Sequence, residues 1–145
     1  MGKFFDYYMS LIISIAVSVM LNRCDIINFG NSKDLFQQFP VLGTCSFGFL
    51  LTMFTVIIQG NNSAIRQMRD RKRPYERFVN FNKYVVILAF MVTVYSFIIG
   101  NFKFVEQFPY KEWMCLAFYI LFIWFIIQTL YFLCVFYTLA KGKSS

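Results

Sequence analysis

Four stretches without a charged residue divide the chain, at positions 7–22, 41–59, 84–100 and 113–140. Crossing the hydrocarbon of a bilayer takes about 17 to 25 residues, so each run predicts a membrane-spanning helix. The first three are of minimal length, and the first reaches its span, 5–22, by borrowing flanking residues such as Phe4 and Phe5. The fourth would be about 42 Å long at 1.5 Å per residue, so it must tilt or project beyond the bilayer. Breakers support the boundaries: Pro40 precedes the second run, Gly60-Asn61-Asn62 follows it, and Gly100-Asn101 ends the third. "SVMLNRCD" after the first run offers no small-x-small cleavage site, so the run reads as a retained span rather than a signal peptide. The predicted fold class is all-α, a polytopic membrane protein with a single four-helix transmembrane domain over 1–145 (spans about 5–22, 41–59, 84–100 and 113–140). Between the spans, 28–40 reads as a polar loop with a short interfacial turn, 60–83 as a basic loop, and 101–112 as a loop. In the last of these, Phe108, Pro109, Tyr110 and Trp113 suit the headgroup region.

Composition strengthens this picture. The chain is 59% hydrophobic with 20 Phe, and its charged fraction of 14% falls well below the usual quarter or so of a soluble domain. A soluble protein of 145 residues could not cover so much apolar surface. There is no His, which removes the commonest general base and metal ligand. Cys24, Cys45, Cys115 and Cys134 form no CxxC pair, so neither a zinc site nor a thioredoxin-like motif is written here. Cys24 and Cys115 could share one membrane face, either bridged or as two free thiols.

Charge sets the sidedness. With four spans, both termini and the 60–83 loop share one side. That side holds Lys3, seven basic residues between Arg66 and Lys83, Lys141 and Lys143. These ten face four on the other side, Arg23, Lys33, Lys103 and Lys111. The excess predicts cytoplasmic termini and a cytoplasmic basic loop. Its densest part, "RQMRDRKRPYERF", contains Arg66, Arg69, Arg71, Lys72, Arg73 and Arg77. A short helix capped by Asn62 or Ser63 and ended by Pro74 would set Arg66, Arg69 and Arg73 on one face. Two readings stand: a topology signal that touches anionic membrane lipids, or a docking surface for a cytosolic protein or nucleoprotein partner.

Inside the spans the informative residues are small or polar, because apolar surface no longer separates helix contacts from lipid contacts. The second span carries Cys45, Gly48, Thr52, Thr55 and Gln59 at steps of three and four, and the third carries Ala89, Thr93, Ser96 and Gly100 likewise. The first carries Ser10, Ser14 and Ser18 at a strict step of four, which drifts about 40° per repeat. Such faces predict either close helix packing or a wet pore lining. The fourth span holds ten aromatics, and Gln128 near its middle calls for a partner in another helix or another copy.

No catalytic constellation can be assembled. A Ser–His or Cys–His pair needs a His, Asp6 is the only acid near a span, and no glycine-rich phosphate loop exists. The sequence therefore implies no enzyme, no cofactor, no metal and no small-molecule substrate. A transporter would need intramembrane charges and inverted repeats over more spans.

Four short spans and the arrangement of span, basic cluster, aromatic and span in "FTVIIQGNNSAIRQMRDRKRPYERFVNFNKYVVILAF" resemble small four-span membrane proteins of bacterial antiphage systems. That group includes the membrane protein of the phage lambda Rex exclusion system and membrane accessories of RNA-targeting CRISPR nucleases. The resemblance implies a bacterial inner-membrane protein that self-associates and depolarises or permeabilises the membrane once a cytosolic sensor is triggered. The alternatives are a non-conducting adaptor or immunity protein that binds a partner through the basic loop, or a small subunit of a larger membrane complex.

Overall fold

The computed structural model describes the backbone of residues 2–59, 72–102 and 104–141. Among these the secondary structure is entirely helical: α1 (Gly2–Arg23), α2 (Phe29–Gln59), α3 (Lys72–Asn101), the single turn α4 (Phe104–Gln107) and α5 (Lys111–Lys141). Three segments, Phe29–Val56, Phe78–Asn101 and Lys111–Tyr137, are long and apolar enough to cross a membrane, consistent with a membrane location. The apolar part of α1, Tyr8–Arg23, is shorter.

Three boundaries differ from the sequence reading. The segment 28–40 is not a loop: α2 runs unbroken from Phe29 through Pro40 to Gln59. Phe29, Ser32, Phe36 and Phe39 are buried at steps of three and four, while Asn31, Lys33, Asp34, Gln37 and Gln38 stay exposed. An amphipathic stripe thus carries the helix through a polar stretch. Second, the basic segment is loop-free from Lys72 onward, where α3 begins. Pro74 ends no helix there; it sits in the first turn of α3, where its missing N–H is no loss. Third, the 101–112 segment contains α4 and is closed by short turn hydrogen bonds such as Phe108 N–H to the Val105 carbonyl.

Pro40 inside α2 explains the tightest seam of the fold. Lacking an N–H, it cannot bond the carbonyl four residues earlier, that of Phe36. The Ser96 hydroxyl of α3 donates to that carbonyl instead, over 3.0 Å in a buried setting. Gly100, one turn further along α3, lets the backbones close: a Cβ there would lie 2.8 Å from the same Phe36 oxygen. Gly43 does the same from the other side, where a Cβ would collide with the Thr93 hydroxyl. Small residues therefore set the α2–α3 distance, and this is the most extensive helix pair.

α5 joins the rest. It packs on α3 and on α1, and touches α2 more lightly. Cys115, Phe118, Phe125, Gln128 and Phe132 form its buried line. Phe118 lies edge-on to Phe36 and Phe39, at ring distances of 5.0 and 5.5 Å, and stacks on Phe122. Phe132 stacks on Phe78 of α3 at 5.3 Å. The pairing order is α1–α5–α3–α2, with α1 at one edge and α2 at the other.

Two termini are fixed by local chemistry. α1 ends in a Schellman motif: Ile26 N–H reaches the Leu21 carbonyl, Asp25 N–H reaches that of Asn22, and Asp25 takes φ 54°. The first N–H of α2, at Phe29, donates to the Glu112 carboxylate over 3.2 Å. Glu112 sits in the first turn of α5, so its charge favours the N-termini of both helices.

Candidate functional site

The face of α2 defined by Cys45, Gly48, Thr52, Thr55 and Gln59 looks outward, and all five residues are exposed. At 100° per residue its centre lies about 170° round α2 from the buried line Phe36, Phe39, Gly43 and Leu50. Around Gly48 a Cβ would meet nothing within 4 Å, so this point of closest backbone access is open. Gln37 and Thr44 extend the same face toward the start of the helix, and both are exposed. The hydroxyls are not orphaned. Thr44, Thr52 and Thr55 donate to the carbonyls of Pro40, Gly48 and Leu51 four residues back, at 2.7, 2.9 and 3.0 Å.

The equivalent faces of α1 and α3 behave in the opposite way. Ser10, Ser14 and Ser18 are buried against α5, and Ala89 and Ser96 are buried against α2. One further step of four along α1 brings Asn22, which is exposed, as the 40° drift per repeat requires. Ser14 donates to the carbonyl of Leu11.

Gln128 is separated from the α2 face. Its amide donates to the Ser10 hydroxyl over 2.7 Å, and the Trp124 indole N–H donates to the same oxygen over 3.2 Å. This is a clasp between α5 and α1 inside one chain. Among the described residues, the buried side-chain atoms without a hydrogen-bond partner are Ser18 Oγ, Asn82 Oδ1 and Thr129 Oγ1.

Of the basic residues, Lys72, Arg73 and Arg77 occupy the first two turns of α3. Arg66, Arg69 and Arg71 lie outside the described residues. The cysteines are free, with Cys24, Cys45 and Cys134 exposed and Cys115 buried. No group of three His, Cys, Asp or Glu that could hold a metal ion occurs among the described residues.

Two features escaped the sequence reading. One is the Pro40–Phe36–Ser96 seam, whose signal is a proline within a helical stripe. The other is an open apolar groove between α2 and α5, lined by Met53, Leu130, Leu133, Cys134, Phe136 and Tyr137, with a volume of about 560 Å³. Comparison with protein-family models, curated proteins and solved structures returns no match.

Proposed function

We propose that the chain is a multi-pass inner-membrane protein of bacteria that self-associates through the outward face of α2. In this reading it acts as a regulated pore or membrane-perturbing effector in antiphage defence, and its basic segment faces the cytoplasm and receives the signal. The observation that carries self-association is the contrast between helices. Ser10, Ser14 and Ser18 of α1 and Ala89 and Ser96 of α3 are buried within the chain, whereas Cys45, Gly48, Thr52, Thr55 and Gln59 of α2 are exposed. In lipid, faces of this kind are where helices approach closely, and Gly48 offers the open backbone for it. A second copy presenting the same face would complete the contact. The defence role rests on the architectural resemblance and the basic cluster alone.

One observation favours a second reading, a non-conducting adaptor. Thr52 and Thr55 satisfy their hydroxyls on their own helix, so they need no water beside them.

Cys45 supplies the test, because it is exposed on the face in question. In a Cys24→Ser, Cys134→Ser background, mild oxidation in membranes should yield a disulfide-linked dimer through Cys45. Gly48→Leu should abolish it. Ion flux from the crosslink-competent protein in liposomes then separates effector from adaptor. A chain that stays monomeric under oxidation in native membranes ends the proposal.

A further inference from the structure

We infer that the self-association proposed above is a parallel, two-fold contact between two copies of α2, with Gln37 on its axis and Asp34 of each copy beside Lys33 of the other. This rests on that reading and adds the number of copies, their orientation and the residues that set the register. Within the span Phe29–Val56, Gly30, Gln37, Gly48 and Thr55 fall within about 10° of one line at 100° per residue. All four are exposed, and the line runs about 38 Å at 1.5 Å per residue. The glycines divide by use. Gly43 and Gly100 close the α2–α3 seam, whereas a Cβ on Gly30 or Gly48 would meet nothing within 4 Å. A second backbone can therefore come close at both levels of the line.

The polar groups on and beside the line select the occupant. Copies inserted with one topology run parallel, so a closed contact between two of them has its axis along the membrane normal. A residue on the line then meets its own copy, and a residue to one side meets the other side of the second helix. Gln37 is the amide on the line. It carries both donors and an acceptor, so two facing copies satisfy each other. Its neighbour Phe36 has its carbonyl bound by Ser96, which places Gln37 level with the charge-free run of α3. Acyl chains offer an amide there no hydrogen bond, and a second Gln37 does. Such a polar residue at a helix seam also fixes register and number of copies. Lys33 and Asp34 are both exposed, about 50° to either side of the line and one residue apart. Two-fold symmetry sets each Asp34 beside the Lys33 of the second copy. Turning the face by about 50° either way would set like charges together instead. An amide on the axis with one charge of each sign astride it is self-complementary.

Crosslinking in native membranes tests the axis. In a Cys24→Ser, Cys45→Ser, Cys134→Ser background, Gln37→Cys should give a disulfide-linked dimer under mild oxidation. It should form several-fold faster than the dimer through Cys45, which stands about 70° off the line. Sedimentation equilibrium of the full chain in detergent tests the charges. Asp34→Lys should weaken the dimer on the order of ten-fold, and adding Lys33→Asp should restore it. Crosslinking through Cys45 with none through Gln37→Cys overturns the inference and leaves self-association standing. So does an Asp34→Lys variant that dimerises like the wild type, a swap that restores nothing, or a wild-type assembly larger than a dimer. No crosslink through either cysteine ends both.

Discussion

Pro40 shows how one residue can fix a contact far along the chain. A proline within a helix costs about 3 kcal/mol relative to Ala, in part through the carbonyl it leaves unpaired. That carbonyl belongs to Phe36, and Ser96 meets it 60 residues away. Ser96→Ala should therefore destabilise the chain by about 1 to 3 kcal/mol, the penalty for a buried acceptor without a donor. The cost should shrink by about 1 kcal/mol in a Pro40→Ala background, where residue 40 regains its N–H. Thermal unfolding of the four variants in one detergent measures that coupling, and strict additivity would refute the account. Asp25 offers a second case. It holds a left-handed conformation with φ 54° that glycine adopts without a Cβ penalty. Asp25→Gly should raise stability by about 0.5 to 1 kcal/mol in the same assay. Gln128 marks the limit of reading residues singly. Its need for a partner was legible from an amide in an apolar run, but Ser10 lies 118 residues away and nothing local points to it. Gln128→Leu should loosen α1 from α5 by about 1 kcal/mol and leave oligomer size unchanged.

At the scale of the element, four helices were legible because charge-free runs of that length have few other solutions. What escaped was where amphipathic stripes continue beyond them. The line Phe29, Ser32, Phe36, Phe39, Gly43 carries α2 one way across a stretch whose polar residues simply face outward. The small-residue faces were legible as faces, yet their partners were not, since lipid and protein neighbours are equally apolar. α5 is the extreme case, because it is apolar all round and its buried line cannot be picked out by periodicity. The outward α2 face gives a prediction that separates its two uses. Valine is close to threonine in shape, so Thr52→Val with Thr55→Val should preserve packing while removing two hydroxyls. If the face lines a conduit, liposome ion flux should fall several-fold at constant oligomer size, given about 1 kcal/mol for each lost polar contact. Unchanged flux assigns the face to packing.

For the whole molecule, the order α1–α5–α3–α2 leaves the outer faces of α1 and α2 without protein neighbours. The two faces differ. α1 turns Ile12, Ile13, Ile15, Val17, Val19 and Met20 outward, a surface made for acyl chains, whereas α2 turns out Cys45, Gly48, Thr52 and Thr55. Copies that meet through α2 would put α1 at the periphery and the basic ends of α3 side by side. Orientation then decides whether that basic end meets the cytoplasm, and the ten-to-four distribution of basic residues predicts that it does. The helices also fix where probes can go. Ser32 is unusable because it is buried and shares a 3.0 Å hydrogen bond with Tyr119, but Asn31 and Asn101 are exposed at the opposite end from Lys72. In a background without native cysteines, Asn31→Cys and Asn101→Cys should react with an impermeant maleimide applied to intact spheroplasts. Ser63→Cys and Ser144→Cys should react only after lysis. Arg66→Gln, Arg69→Gln and Arg73→Gln leave Arg71, Lys72, Arg77 and Lys83 in place, enough to hold the orientation, so the labelling pattern should persist in that triple variant. A triple variant that keeps this pattern and loses activity identifies the segment as the receiver of the signal, while one that keeps both leaves it as a topology determinant alone.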